Sequence, residues 1–186
     1  MTIGITGTDG AGKGVAVDYL LKHKGFTHYH GRALFIQEIE RRGLENSRIS
    51  TRLVANEIRK KYGNDAIVKL FLEQAKEKGD TKIVIDSIRA TAEAGTLKKN
   101  GGVLLSIDAD QRLRYERIVA RGSGTDNVSF EEFVEQEELE MDDPDPHGMQ
   151  KRAVIEMADY TIMNDGALEE LHAKIDDILQ KIEKKA

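Results

Sequence analysis

Close to the start of the chain stands Gly7-Thr8-Asp9-Gly10-Ala11-Gly12-Lys13-Gly14. Glycines let backbone N–H groups turn inward around a chain of phosphates, and the lysine adds a point charge for the β- and γ-phosphates. The spacing is GxxxxGK, with Gly14 where Ser or Thr ordinarily follows and Val15 next. Thr2 to Thr6 reads as a short apolar strand, and Gly12 to Lys24 as a helix closed by Gly25. The helix N-terminus adds positive potential at the same point. Gly7, Thr8, Asp9, Gly10, Ala11, Gly12, Lys13, Gly14 and Val15 are therefore the expected triphosphate contacts. A glycine-rich strand-turn-helix is the plainer alternative, and the strand-before, helix-after context favours the phosphate site. Asp9 reads equally as a turn residue satisfying loop N–H groups.

Two further constellations carry chemistry. KIVID, residues 82 to 86, reads as a buried strand with Asp86 at its carboxyl end. An acid there has the form of one that holds a magnesium water in phosphoryl-transfer enzymes; a strand end beside a helix cap is the plainer reading. In Tyr115-Glu116-Arg117-Ile118-Val119-Ala120-Arg121-Gly122, Arg117 and Arg121 are four apart and share a helix face. Two arginines converging on a transferring phosphoryl group neutralise its developing charge, whereas a basic helix face is otherwise simply solvated. Residues 136 to 145, QEELEMDDPD, read as a solvated acidic face, their spacing too diffuse for a metal cluster. His28 and His30 alternate with Tyr29 and read as strand pattern rather than a ligand pair.

The elements that must position these residues alternate. Strands are expected over Thr2–Thr6, Phe26–His30, Lys82–Asp86, Val103–Asp108 and Tyr160–Met163. Helices are expected over Leu34–Arg42, Ile49–Lys61, Ala66–Lys78, Ala90–Lys99, Gln111–Arg121, Phe130–Glu140, Met149–Met157 and Leu168–Ile182. Such alternation implies an α/β fold, a five-stranded parallel sheet with helices on both faces, binding ligands at the carboxyl ends of its strands. At 186 residues one domain is expected, without repeat or linker. The formal net charge of −5 gives no general nucleic-acid footprint. Zero cysteines exclude disulfides and thiolate chemistry. No apolar run approaches the roughly 20 residues that span a bilayer, and MTIGIT has no signal-peptide character. A cytoplasmic protein without membrane or nucleic-acid partners is expected.

The motifs resemble those of P-loop nucleoside monophosphate kinases. Adenylate kinases place glycine after the loop lysine, as Gly14 does here, and follow it with the threonine that Val15 replaces. TDGAGK is similar to thymidylate kinases, which use an acid at the position of Asp9. Asp86-Ser87-Ile88-Arg89-Ala90-Thr91 resembles the stretch of adenylate kinases whose arginine grips the acceptor phosphate, which implies that role for Arg89. YERIVARG resembles the point where their helix meets a mobile lid, and Arg152 is the candidate for a further lid arginine. ADYTIMNDGALEEL resembles the closing strand, turn and helix of small P-loop kinases, which implies that Asn164 and Gly166 border the adenine. An Asn-Asp-Gly turn capping the last helix is compatible with that. GITGTDGAGKG, RRGLENSRISTRLVANEIRKKYG, IVIDSIRATAE, YERIVARG, FEEFVEQEELE and ADYTIMNDGALEEL, in this order, are similar to an archaeal-type dephospho-CoA kinase-related family. That family tends to have Gly-Asp where this chain has Gly31-Arg32, and Arg-Asp where it has Gln136-Glu137.

The resemblance implies ATP as donor, Mg²⁺ held through water by Asp86, and a nucleotide-like acceptor met by Arg89, Arg32 and Asp9. Lys13, Asp86, Arg117 and Arg121 form the expected catalytic set, with Arg117 also on the ATP side. An acceptor-binding helical insert is expected around residues 31 to 80 and a lid around 121 to 148. Dephospho-CoA is the alternative acceptor. A nucleotide-binding regulator without efficient transfer is the alternative of another class, favoured by Gly14 and Val15.

Overall fold

The structure is a computed structural model that describes residues 1–122 and 128–184. Five strands, β1 (Thr2–Gly7), β2 (Thr27–Tyr29), β3 (Ile83–Ile85), β4 (Val103–Asp108) and β5 (Tyr160–Met163), form one sheet in the order β2-β3-β1-β4-β5. Every adjacent pair is parallel. β1 lies at the centre, where the winding of the chain changes direction, so the crevice at its carboxyl end is the natural ligand position. The expected doubly covered parallel sheet is what forms.

Two strands are trimmed relative to the sequence reading, while β1 runs on to Gly7. Phe26 and His30 fall outside β2, and Lys82 and Asp86 outside β3. After Ile85 the chain bulges: Ser87 takes φ 60°, the left-handed region that a side chain enters only at some cost, and Ile88 then pairs back to Ile5 O at 3.0 Å. The bulge projects Asp86 from the sheet end.

Helix α1 (Lys13–Lys24) leaves the first loop, and α2 (Arg32–Arg41), α3 (Arg48–Tyr62) and α4 (Ala66–Lys78) fill the interval between β2 and β3. Then come α5 (Thr91–Lys99), α6 (Gln111–Arg121), α7 (Phe130–Met141), α8 (Lys151–Glu156) and α9 (Leu168–Glu183). α8 begins two residues later than expected. The backbone ahead of it is tied elsewhere: Met149 O accepts from Asp143 N, and Gln150 N donates to Arg89 O. Of the expected lid, residues 123–127 lie outside the described residues.

Alternate residues of the strands enter two cores, as the period of two requires. Ile3, Ile5, Leu105 and Ile107 pack with α1 and α9, through Val17, Leu20, Leu171 and Ile175. Ile83, Ile85 and Leu104 pack on the other face with α4 and α5, through Val68, Phe71, Ala94 and Leu97. Among the described residues no helix is long and apolar enough to cross a membrane.

Candidate functional site

The loop between β1 and α1 is set by its glycines. Gly7, Gly10 and Gly12 have φ of 121°, 81° and 100°, conformations that L side chains rarely adopt. Space agrees with torsion. A Cβ on Gly7 would lie 1.9 Å from Ile107 O, one on Gly10 2.5 Å from Arg114 O, and one on Gly12 2.4 Å from Asn164 Nδ2. β4, α6 and the turn after β5 therefore press against the loop from three sides. Asn164, buried at 7% exposure, donates to Ala11 O at 2.8 Å. Thr8 Oγ1 donates to Asp108 Oδ1. The loop is held in shape by its surroundings, which is the preorganisation an anion site needs.

Gly14 is different. Nothing lies within 4 Å of where its Cβ would be, and its backbone is ordinary, so this position has room for a hydroxyl residue. Val15 beside it is 44% exposed.

Lys13 is folded back onto the loop. Its Nζ donates to Gly7 O at 3.0 Å, Thr8 O at 2.6 Å and Asp9 Oδ1 at 3.1 Å. Burial holds its ammonium below the usual lysine range; Asp9 opposes that shift, while Lys151 and Arg89 reinforce it. Asp9 is thus a charge partner of the loop lysine. Lys151 Nζ lies 3.1 Å from Asp9 Oδ2 and also pairs with Glu140 of α7.

Arg114, one turn ahead of Arg117, reaches the loop. Its guanidinium donates to Ala109 O at 2.9 Å and Asp9 O at 3.3 Å and forms a two-pronged pair with Glu137. Arg117 lies further along the same face, half-buried, and one of its terminal nitrogens, Nη1, is buried without a hydrogen-bond partner. Arg121 is exposed at the end of α6.

Acids flank the loop on both sides. Asp108, at the end of β4, accepts from Thr8 Oγ1 and from Ala109 N, and lies 3.6 Å from Arg114 Nε. It braces the loop. Asp86, at the end of β3, keeps a partly exposed carboxylate, with Oδ2 3.1 Å from His28 Nε2. His28 and His30 lie on the same side, as their i, i+2 spacing implies, and their rings stack at 4.6 Å, although His30 lies just beyond β2.

Ahead of α5, Arg89 Nη1 approaches Met149 Sδ at 3.3 Å. The turn carrying Arg89 is fixed by Glu93, whose Oε2 accepts from Arg89 N at 2.9 Å and Ala90 N at 3.0 Å, while Oε1 holds buried Arg59. Arg32 is exposed at the first position of α2, and Gly166 is exposed in the turn before α9. A groove of about 780 Å³ runs between α3 and the 145–147 turn, lined by Ile49, Arg52, Leu53 and His147 among others.

The acidic run corrects its sequence reading as a solvated face. Glu137 and Asp143 are buried, paired with Arg114 and Arg52, and Glu140 pairs with Lys151. Of its acids, Glu138 and Asp142 stay exposed, and they hold Arg152 at the surface. Arg114, Lys151, Asp108, Glu137 and Glu140 were not among the expected site residues. For Arg114 and Asp108 a signal existed: the first stands three residues ahead of Arg117, on the same helix face, and the second closes the apolar run VLLSID as Asp86 closes KIVID. Among the described residues no group of three or more His, Asp and Glu side chains is arranged to hold a metal ion. Magnesium needs no such cage, because it binds through one or two carboxylates and keeps its waters.

The AAA domain family model matches residues 3–141. A UPF0200 protein of Thermococcus kodakarensis is 30% identical over 188 residues, covering 98% of each chain. Another, of Sulfurisphaera tokodaii, is 33% identical over 184 residues, covering 97% of this chain and 96% of that one. The chain belongs to the AAA domain family and, with these relatives, to the UPF0200 proteins. Among solved structures, TT1252 from Thermus thermophilus superposes with a TM-score of 0.62 at 21% identity, covering 97% of both chains. Shikimate kinase from Bacteroides thetaiotaomicron superposes with a TM-score of 0.57 at 14% identity, covering 97% of this chain and 98% of that one. These likenesses show that the UPF0200 chain has the fold of a P-loop kinase.

Proposed function

We propose that the chain is a phosphotransferase that moves the γ-phosphoryl group of ATP to a nucleoside monophosphate or a similar small nucleotide. One observation carries the reading: the glycine loop at the end of the central strand has the left-handed backbone and close packing that only glycines permit, with Lys13 opening the helix behind it. Lys13 leaves the loop carbonyls to meet the β- and γ-phosphates. Residues 7 to 15 wrap the phosphate chain, and Asn164 and Gly166 lie on the adenine side, Asn164 by shaping the loop. Arg89, Arg32 and Asp9 face the acceptor.

The residues fit magnesium: Asp86 offers a partly exposed carboxylate on the bulge beside the loop, and the space at Gly14 is open. Asp86 would hold the ion through water, and the ion, when bound, supplies positive charge to the β- and γ-oxygens. In the reaction an acceptor phosphate oxygen forms the new bond to Pγ as the bond from Pγ to the bridging oxygen of ADP breaks. Arg117 and Arg121 neutralise the charge that develops as residues around α7 close over the site. An acceptor phosphate is already anionic, so no strong base is required.

The test is an ATP-consumption screen across nucleoside monophosphates, deoxynucleotides and dephospho-CoA. ADP release with one nucleoside monophosphate is the expected result. Transfer to dephospho-CoA alone would move the acceptor assignment. Firm ATP binding with no transfer to any acceptor would favour a nucleotide-binding regulator, the reading that Gly14 and Val15 support.

A further inference from the structure

Lys151 has no part in the reaction as described, yet it is a buried cation that meets a side chain of the loop. It opens α8, and its side chain is only 4% exposed. Its Nζ lies 3.1 Å from Asp9 Oδ2 and hydrogen-bonds Glu140 of α7. The other oxygen of Asp9 lies 3.1 Å from Lys13 Nζ. One carboxylate therefore bridges two ammonium groups, on the segment that would wrap the phosphates. Two oxygens sharing one centre and facing two ammoniums is also how a phosphoryl group presents its non-bridging oxygens.

A buried lysine held between two carboxylates is an arrangement that burial opposes unless each charge is met. Here Asp9 is shared by Lys13 and Lys151, and Glu140 meets Lys151 alone. Lys151 and Arg89 sit close enough to Lys13 to oppose its charge, and Arg114 donates to the Asp9 backbone. Asp9 is the carboxylate common to the two lysines, and an incoming polyanion would compete for both ammoniums.

We propose that Lys151 is a second phosphate-binding cation, which meets the terminal phosphoryl group of bound triphosphate in place of Asp9. This rests on the phosphotransferase reading above and names a residue that the glycine motif does not include. The terminal phosphoryl oxygens of a triphosphate take the two ammoniums over from Asp9. Glu140 aims the ammonium from α7, so the same lysine ties the lid helix to the presence of a γ-phosphate. ADP lacks the group that Lys151 meets, and the residue therefore discriminates triphosphate from diphosphate.

Calorimetric titration of ATP and of ADP, each with Mg²⁺, into wild type, Lys151→Met, Lys151→Arg and Lys13→Ala tests this. The expected result is an ATP affinity about tenfold lower in Lys151→Met, the loss of one charge-assisted hydrogen bond. ADP affinity should stay within about twofold, and Lys151→Arg should recover part of the ATP preference. Equal losses for ATP and ADP, or no change in either, would overturn the proposal and leave Lys151 a structural tie between α8, α7 and the loop. Should Lys151→Met not fold, Glu140→Gln serves instead. Removing the carboxylate that aims Lys151 should lower ATP affinity without changing ADP affinity, and any other pattern counts against the proposal. Lys13→Ala separates the two claims. If it binds ATP as tightly as wild type, the phosphate-loop reading itself fails and the role of Lys151 falls with it.

Discussion

Glu137→Ala should destabilise the protein far more than its place in an acidic surface run suggests. Glu137 and Arg114 have side chains 8% and 6% exposed, and they meet through both prongs of the guanidinium. Removing one partner of a buried pair leaves an uncompensated charge and costs about 3–5 kcal/mol. Arg114 keeps a carbonyl at 2.9 Å and Asp108 at 3.6 Å, which argues for the lower end, about 3 kcal/mol. For a domain of this size each kcal/mol lowers Tm by about 2–4 °C, so a fall of about 6–12 °C is expected. Urea unfolding with an unchanged m-value would assign the loss to the folded state. Arg114→Met with Glu137→Ala should recover much of it, because the buried charge goes with its partner. A Tm shift under about 2 °C, or strictly additive single and double variants, would refute the buried-pair argument and detach α7 from the loop side of α6.

Gly14→Ser should stabilise the protein by about 0.5 kcal/mol, since glycine inside a helix is costly and the position is open; a melt showing destabilisation would mean that the space is not there. Burial, with Asp80 accepting from its hydroxyl, pushes Tyr29 up to about 12 from 10.0. The unfolded chain then loses that proton first, so stability should be fully present below about pH 10 and fall as pH rises toward about 12. Urea midpoints against pH should show this fall, and Tyr29→Phe should flatten it. With an acceptor in hand, Arg89→Ala should chiefly raise the acceptor KM and Arg121→Ala chiefly lower kcat, by on the order of a thousandfold if it meets the moving group. Near-wild-type kinetics in both would remove those roles.

The sheet and the loop were legible because their signals are local. Apolar runs such as VLLSID mark buried strands, and the glycine spacing with Lys13 sits between one strand and one helix. Pairings between distant segments were not legible. Nothing in QEELEMDDPD says that Glu137 meets Arg114 across 23 residues or that Asp143 meets Arg52. The i, i+4 spacing placed Arg117 and Arg121 on one face, but only the way α6 leaves β4 decides that Arg114 is the turn that touches the loop. The same holds for Lys151 and Arg152. They are neighbours in sequence, yet helical rotation buries the first beside Asp9 and leaves the second among surface acids. The histidines were legible as pattern: i, i+2 spacing puts His28 and His30 on one face with Tyr29 on the other, and their rings do stack, although β2 itself ends at Tyr29.

The phosphate-binding loop is the claim on which the rest depends, and Lys13→Ala tests it most directly. ATP titrated with Mg²⁺ into wild type and variant, with circular dichroism confirming the fold of each, should show binding in the first and a strong loss in the second. ATP affinity unchanged in a folded Lys13→Ala protein would contradict the account.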